Sequence, residues 1–119
     1  MAKPLVLSYS GCSTCRKALK WLDAHEVAAQ VRALLDDAPT RAELSKWVKA
    51  SGVGVRKWLN TSGQSYRALG KAKVDAASDD TLLDWLAQDP KLIKRPVLVD
   101  GARVVVGFKE ERYAEHFGR

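Results

Sequence analysis

Metal-ligating residues are scarce in this chain of 119 residues, which holds two cysteines and two histidines: Cys12, Cys15, His25 and His116. Tetrahedral zinc wants four protein ligands, or three and a water, and these four do not fall at finger spacing, so no metal site is expected. Long hydrophobic runs are missing too. No stretch approaches the roughly 18 to 20 apolar residues that cross a bilayer, and "MAKPLVLSYS" lacks the apolar core of a secretory leader. The expected location is the cytoplasm, with no membrane partner. In that compartment thiol buffers keep a cysteine pair reduced unless it cycles, which argues against a permanent structural bridge. Repeats, low-complexity segments and linkers are also absent, and this length supports one core, so 1–119 is expected to be a single domain.

What is present is the composition of an ordinary globular protein, 46% hydrophobic and 29% charged, with a formal net charge of +6. The charge is polarised. From Arg41 to Lys73 eight basic residues (Arg41, Lys46, Lys49, Arg56, Lys57, Arg67, Lys71, Lys73) face a single acid, Glu43, while Asp75, Asp79, Asp80, Asp84 and Asp89 follow together. Such a face attracts nucleic acid, an acidic protein or a small anion. No aromatic-interleaved recognition pattern accompanies it, so a solvated helical surface is the favoured reading and direct nucleic-acid binding is not expected.

Along the chain, Pro4 to Tyr9 is short and apolar on both faces, the pattern of a buried strand. Ser10 and Gly11 break it, and from about Ser13 the residues Ala18, Leu19, Trp21 and Leu22 recur at helical spacing. "VAAQVRALL" (27–35) supplies a second strand. Thr40 and Glu43 form an S/T-x-x-E capping box that starts a helix carrying Leu44, Trp47 and Val48. The glycines at 52, 54, 63 and 70 predict short helical pieces, and a further helix covers Asp79 to Gln88. "RPVLVDGARVVVGF" reads as two strands joined at Asp100-Gly101, and "KEERYAEHF" as a closing helix with Tyr113 and Phe117 inward. His25 and His116 are expected at the surface. The order is β-α-β, a helical insertion at about 38–90, then β-β-α: an α/β chain with a thioredoxin-like fold interrupted by a helical subdomain.

The only two thiols stand three residues apart in "SYSGCSTCRKALKWL". With strand, turn and helix as read, the Cys12 sulfur sits near the unpaired N–H groups of the first helical turn, whose partial positive charge favours the thiolate. Lowering a thiol pKa from about 8.5 to about 6 raises the thiolate fraction roughly 30-fold at neutral pH, and the loss of nucleophilicity takes back about 13-fold of that. The larger benefit is on the leaving side, because a stabilised thiolate departs readily from a mixed disulfide. Cys12 is therefore suited to form a covalent adduct and Cys15 to resolve it. Half of a zinc site and an inert pair are the rival readings. In "KLIKRPVLV" (91–99), Pro96 opens a strand and the Arg95-Pro96 bond is a candidate for the cis isomer. Arg95, unless it is merely a surface residue, holds a thiolate deprotonated or grips an anion.

Taken together, "YSGCSTCRKALKWL", "WLNTSGQSYRAL", "LIKRPVLVDGARVVVGF" and "ERYAEHF" resemble the arsenate reductase (ArsC)/Spx family, most nearly its small YffB-type members, from about Leu5 to Phe117. The resemblance implies a thioredoxin-like fold with a helical insertion, a nucleophile at Cys12 and a cis proline at Arg95-Pro96 facing it. It implies a glutathione-linked thiol reductase with catalytic Cys12, Cys15 and Arg95 and with Gly11, Ser13, Lys94 and Pro96 at the substrate. No permanently bound cofactor is expected; glutathione is the co-substrate, a glutaredoxin- or thioredoxin-type protein the partner, and the chain a monomer. Arsenate reductases of the family surround the oxyanion with three arginines, and only Arg95 maps here: "LNTSG" and Gly107-Phe108 stand at the other two places. The CxxC pair is similar to that of Spx regulators, which implies as an alternative a redox sensor that binds the RNA polymerase α subunit; the second alternative the resemblance implies is an arsenate reductase.

Overall fold

A computed structural model describes residues 3–118. Four strands, β1 (Leu5–Ser8), β2 (Gln30–Ala33), β3 (Val97–Asp100) and β4 (Arg103–Val106), form one sheet in the order β2-β1-β3-β4. β1 pairs parallel with β2, and antiparallel pairings join β1 to β3 and β3 to β4. The helices are α1 (Ser13–Ala24), α2 (Arg41–Ser51), α3 (Gln64–Leu69), α4 (Lys71–Ala76), α5 (Asp79–Gln88) and α6 (Glu110–Phe117), with 3₁₀ turns at Val55–Trp58 and Pro90–Leu92.

β1, β3 and β4 read as apolar runs because both faces of the sheet are covered there, whereas β2 at the edge, Gln-Val-Arg-Ala, is largely exposed. Successive side chains point to opposite faces. Val6, Leu98 and Val105 pack with Ala18, Trp21 and Leu22 of α1 and Tyr113 of α6. Their neighbours Leu7, Val97, Val104 and Val106 pack on the other face with Leu44, Trp47 and Val48 of α2 and Leu82, Leu83 and Leu86 of α5. A strand with only one buried face would have alternated.

The capping box at α2 forms in both directions: Thr40 Oγ1 accepts from Glu43 N–H at 3.1 Å, and Glu43 Oε1 accepts from Thr40 N–H at 3.0 Å. Every element between β2 and β3 is helical. The middle of that insertion is tied to the chain leading into β3 by an isolated bridge between Leu59 and Ile93, in which Asn60 N–H donates to Leu92 O and Lys94 N–H to Trp58 O, each at 2.7 Å. The arrangement is thioredoxin-like.

Two local expectations are corrected. The second strand is shorter than 27–35, because only Gln30 to Ala33 pair with β1. The hairpin turns one residue later than Asp100-Gly101. Asp100 still pairs with Arg103, so Gly101 and Ala102 are the central residues, and among non-glycines Ala102 needs no positive φ while Gly101 has φ +61°. A two-residue hairpin with glycine at its first central position follows the same physical rule.

Candidate active site

Cys12 is the N-cap of α1, directly after the turn that leaves β1. Its Sγ accepts from Cys15 N–H at 3.3 Å, and its own N–H donates to Tyr9 O at 3.0 Å. A sulfur thus occupies the place where a capping oxygen normally meets the free donors of the first turn. Burial opposes ionisation of this half-buried thiol. Hydrogen bonds from the Cys15 thiol, the Cys15 and Thr14 backbone N–H groups and the Arg95 guanidinium act the other way and prevail, so Cys12 lies below the ordinary cysteine range.

Cys15 is the opposite case. It is fully buried, and burial pushes its thiol up to about 11, against hydrogen bonds from the Tyr9 backbone and Ser8; the neighbouring Cys12 adds to the rise. Both cysteines are free thiols. The pair therefore consists of one readily ionised sulfur and one held protonated beside it, which donates to the first.

Arg95 reaches Cys12 from the loop before β3, across the cis Arg95-Pro96 bond. Its Nη1 is buried and has no hydrogen-bond partner, and its guanidinium carbon lies 4.5 Å from the centre of the Tyr9 ring. Pro96 is buried where it enters β3, behind the residues that line the cleft in front of Cys12, and carries Arg95 at the strand's edge. The other expected neighbours, Gly11, Ser13 and Lys94, do line that cleft, whose volume is about 450 Å³.

Further side chains in the cleft were not foreseen, among them Asn60, Ser62, Lys109 and Arg112. Asn60 and Ser62 arrive from the insertion through the antiparallel Leu59–Ile93 bridge, which sets residue 60 beside residue 92, just before Lys94 and Arg95. Lys109 and Arg112 come from the start of α6, three positions apart and so on one face of the helix. Local sequence offers no cue for Asn60, and for Lys109 and Arg112 the one available signal is their spacing of three just after Gly107-Phe108, which acquires meaning only once α6 is placed beside the cleft. Lys94, Arg95, Lys109 and Arg112 give the cleft four cations, and none of its lining residues is acidic. Gly107 has φ +79°, and a Cβ placed there would lie 3.1 Å from Lys94 Cε. The lysine thus lies across a position that has no side chain of its own.

The expected surface position is corrected for His116, whose side chain is covered, while His25 is partly exposed; neither joins the site. His25 is half-buried and stacks on Trp21, with ring centres 3.8 Å apart. The His116 side chain is only 4% exposed, and its Nε2 lies 2.8 Å from Asp100 Oδ2, fastening α6 to the β3–β4 hairpin. Among the described residues no group of three or more His, Cys, Asp or Glu side chains is placed to hold a metal. Among the described residues no helix is long and apolar enough to cross a membrane.

The ArsC family model matches residues 7–116. Among curated proteins the chain is 42% identical to the uncharacterized protein YusI of Bacillus subtilis, covering 92% of this chain and 93% of YusI. It is 34% identical to the regulatory protein MgsR of the same organism, over 85% and 79% of the two chains. Among solved structures, an ArsC family related protein of Bacteroides fragilis superposes with TM-score 0.91 at 40% identity, covering 96% of this chain and 97% of the other. The YffB protein PA3664 superposes with TM-score 0.85 at 32% identity, over 95% and 97%. The match spans both thiols, the Arg95-Pro96 pair and the insertion between them: the chain belongs to the ArsC family.

Proposed function

We propose that the protein is a glutathione-linked thiol–disulfide reductase in which Cys12 is the nucleophile, Cys15 the resolving thiol and Arg95 the anchor of the thiolate. The observation that carries this reading is the readily ionised Cys12 at the mouth of a cleft with four cations and no acid. Cys12 thiolate attacks the glutathione sulfur of a mixed disulfide, forming Cys12–glutathione, and the departing thiolate takes up a proton. Cys15 then gives up its proton to solvent and attacks the Cys12 sulfur. Glutathione leaves as a thiolate, and a Cys12–Cys15 disulfide remains for external glutathione, or a glutaredoxin- or thioredoxin-type protein, to reduce. Lys94, Lys109 and Arg112 supply the positive field that attracts the two glutathione carboxylates.

Support for glutathione over arsenate comes from the walls of the cleft. Asn60 and Gly107 carry no charge, so Arg95 is the guanidinium that meets the sulfur, and the remaining cations are spread over the loop before β3 and the first turn of α6. A compact tetrahedral oxyanion gains from converging forks, whereas an extended tripeptide gains from separated charges.

The test is to mix reduced protein with oxidised glutathione and follow intact mass. The expected result is a single glutathione adduct that is lost in Cys12→Ser, accumulates in Cys15→Ser, and is transient in the unaltered protein. Absence of an adduct on Cys12 at neutral pH rejects the mechanism.

A second reading is a redox-sensing regulator that binds RNA polymerase, supported by the regulatory relative and by the exposed Lys46 and Lys49 on α2. Several of the other middle-segment cations have internal partners: Arg41 with Asp84, Lys71 with Asp75, and Arg56 with the carbonyls of Val74 and Ala77. This reading expects oxidation-dependent capture of the polymerase α subunit that charge reversal at Lys46 and Lys49 abolishes; capture indifferent to oxidation rejects it.

A further inference from the structure

Arg95 has an unusual support. Among the described residues no carboxylate, carbonyl or hydroxyl hydrogen-bonds its guanidinium, and Nη1 is buried without a partner. A flexible side chain whose polar contact is the thiol it serves keeps one orientation only if something else defines it, and the group against its face is the ring of Tyr9, 4.5 Å from the guanidinium carbon. The backbone accounts for the meeting. The antiparallel ladder ends at Leu7 and Val97, and the same register counted two residues further sets Tyr9 opposite Arg95. The ring is itself seated, because a Cβ at Gly11 would lie 2.8 Å from Tyr9 Cε2, so only glycine leaves room for it there.

We propose that Tyr9 is a positioning residue for the reacting thiol: its ring, seated on Gly11, holds the Arg95 guanidinium where it faces Cys12. The inference rests on the proposal that Arg95 anchors the Cys12 thiolate and adds the residue that makes Arg95 able to do so. The negative face of an aromatic ring attracts a guanidinium and leaves its N–H edge free. That edge then serves the thiolate, or an anionic substrate, instead of being spent on a structural carboxylate. The backbone of Tyr9 is engaged separately, its carbonyl with Cys12 N–H and its N–H with the Cys15 sulfur. Side-chain variants leave those two contacts in place and isolate the ring.

The measurement is the midpoint of the pH–rate profile for alkylation of Cys12 in the full chain, followed by intact mass. Tyr9→Leu is expected to move the midpoint upward, making the thiol about fivefold weaker as an acid, while Tyr9→Phe, which keeps the aromatic face, stays within about twofold. In an Arg95→Ala background Tyr9→Leu is expected to add nothing, since the two act as one unit. A series with phenylalanine carrying one, two and three ring fluorines at position 9 keeps the ring's size while draining its negative face. It is expected to raise the midpoint stepwise, and it serves equally if Tyr9→Leu does not fold. A flat fluorine series, or a Tyr9→Leu shift that persists without Arg95, overturns the role of Tyr9. An Arg95→Ala chain with an unchanged midpoint overturns the anchor role beneath it, which is a different result.

Discussion

Arg32 and Arg95 are the same residue put to opposite uses. Arg32, on β2, is consumed by its surroundings: Nη1 and Nη2 form a bidentate pair with Glu43 at 2.8 and 3.0 Å, Nη2 also donates to Ala38 O, and Nε donates to Asp37 O. Glu43 in turn completes the capping box of α2, so one ion pair fixes a strand, a loop and a helix start. Arg95 rests on an aromatic face with Nη1 unpartnered. A guanidinium with every donor satisfied is part of the scaffold, and one with a buried donor in reserve is available for chemistry.

Exchanging the two losses breaks the comparison most sharply. Arg95→Ala removes a charge-assisted hydrogen bond to the thiolate and is expected to weaken Cys12 as an acid by about ten- to hundredfold, with the denaturation midpoint almost unchanged. Alkylation profiles and urea unfolding together check it. Arg32→Ala is expected to do the reverse, costing about 2 kcal/mol of stability through the stranded carboxylate and lost carbonyl bonds while leaving the Cys12 profile in place. If both variants affected both quantities alike, the division of labour would be wrong.

Acid sharpens the structural half. The guanidinium of Arg32 beside Glu43 is the main cause that brings its carboxyl down to about 2 from the usual 4.5. A carboxyl whose folded pKa is depressed stabilises the fold above its unfolded pKa, and that contribution fades as pH falls from about 4.5 to about 2. Glu43 is partly exposed, so screening holds the effect to about 1 kcal/mol. Glu43→Gln is expected to flatten the stability–pH slope over that window in urea titrations. The smallest effect is expected on the chemical side: Lys109→Gln or Arg112→Gln lowers the rate of adduct formation with oxidised glutathione about threefold at low salt and hardly at all at high salt, as a screened field requires. A loss that ignores salt would mean direct packing.

Much of the fold was legible because local rules and tertiary structure agree. The Thr40/Glu43 box marks the start of α2, the double-faced apolar runs mark strands covered on both sides, and Ser10-Gly11 ends β1 where Cys12 caps α1. The hairpin was displaced by one residue because Asp100, a good turn residue, is recruited into the ladder opposite Arg103, and its carboxylate meets His116. His116 was misplaced for the same reason, since a histidine near a helix end gives no sign that a carboxylate from a hairpin will cover it. In the site, Cys12, Cys15 and Arg95 stood out through their chemistry. Tyr9, Asn60 and Lys109 did not, because what makes them matter is strand register, a bridge across the insertion and the placement of α6.

The most direct test is the titration of Cys12 itself in the unaltered protein. Alkylation across pH, read by intact mass with the labelled residue identified, is expected to show Cys12 reacting with a midpoint below that of an ordinary cysteine while Cys15 stays silent until about pH 11. A Cys12 midpoint at or above the ordinary value, or labelling of both thiols together, would contradict the claim that this cleft is built around a stabilised thiolate.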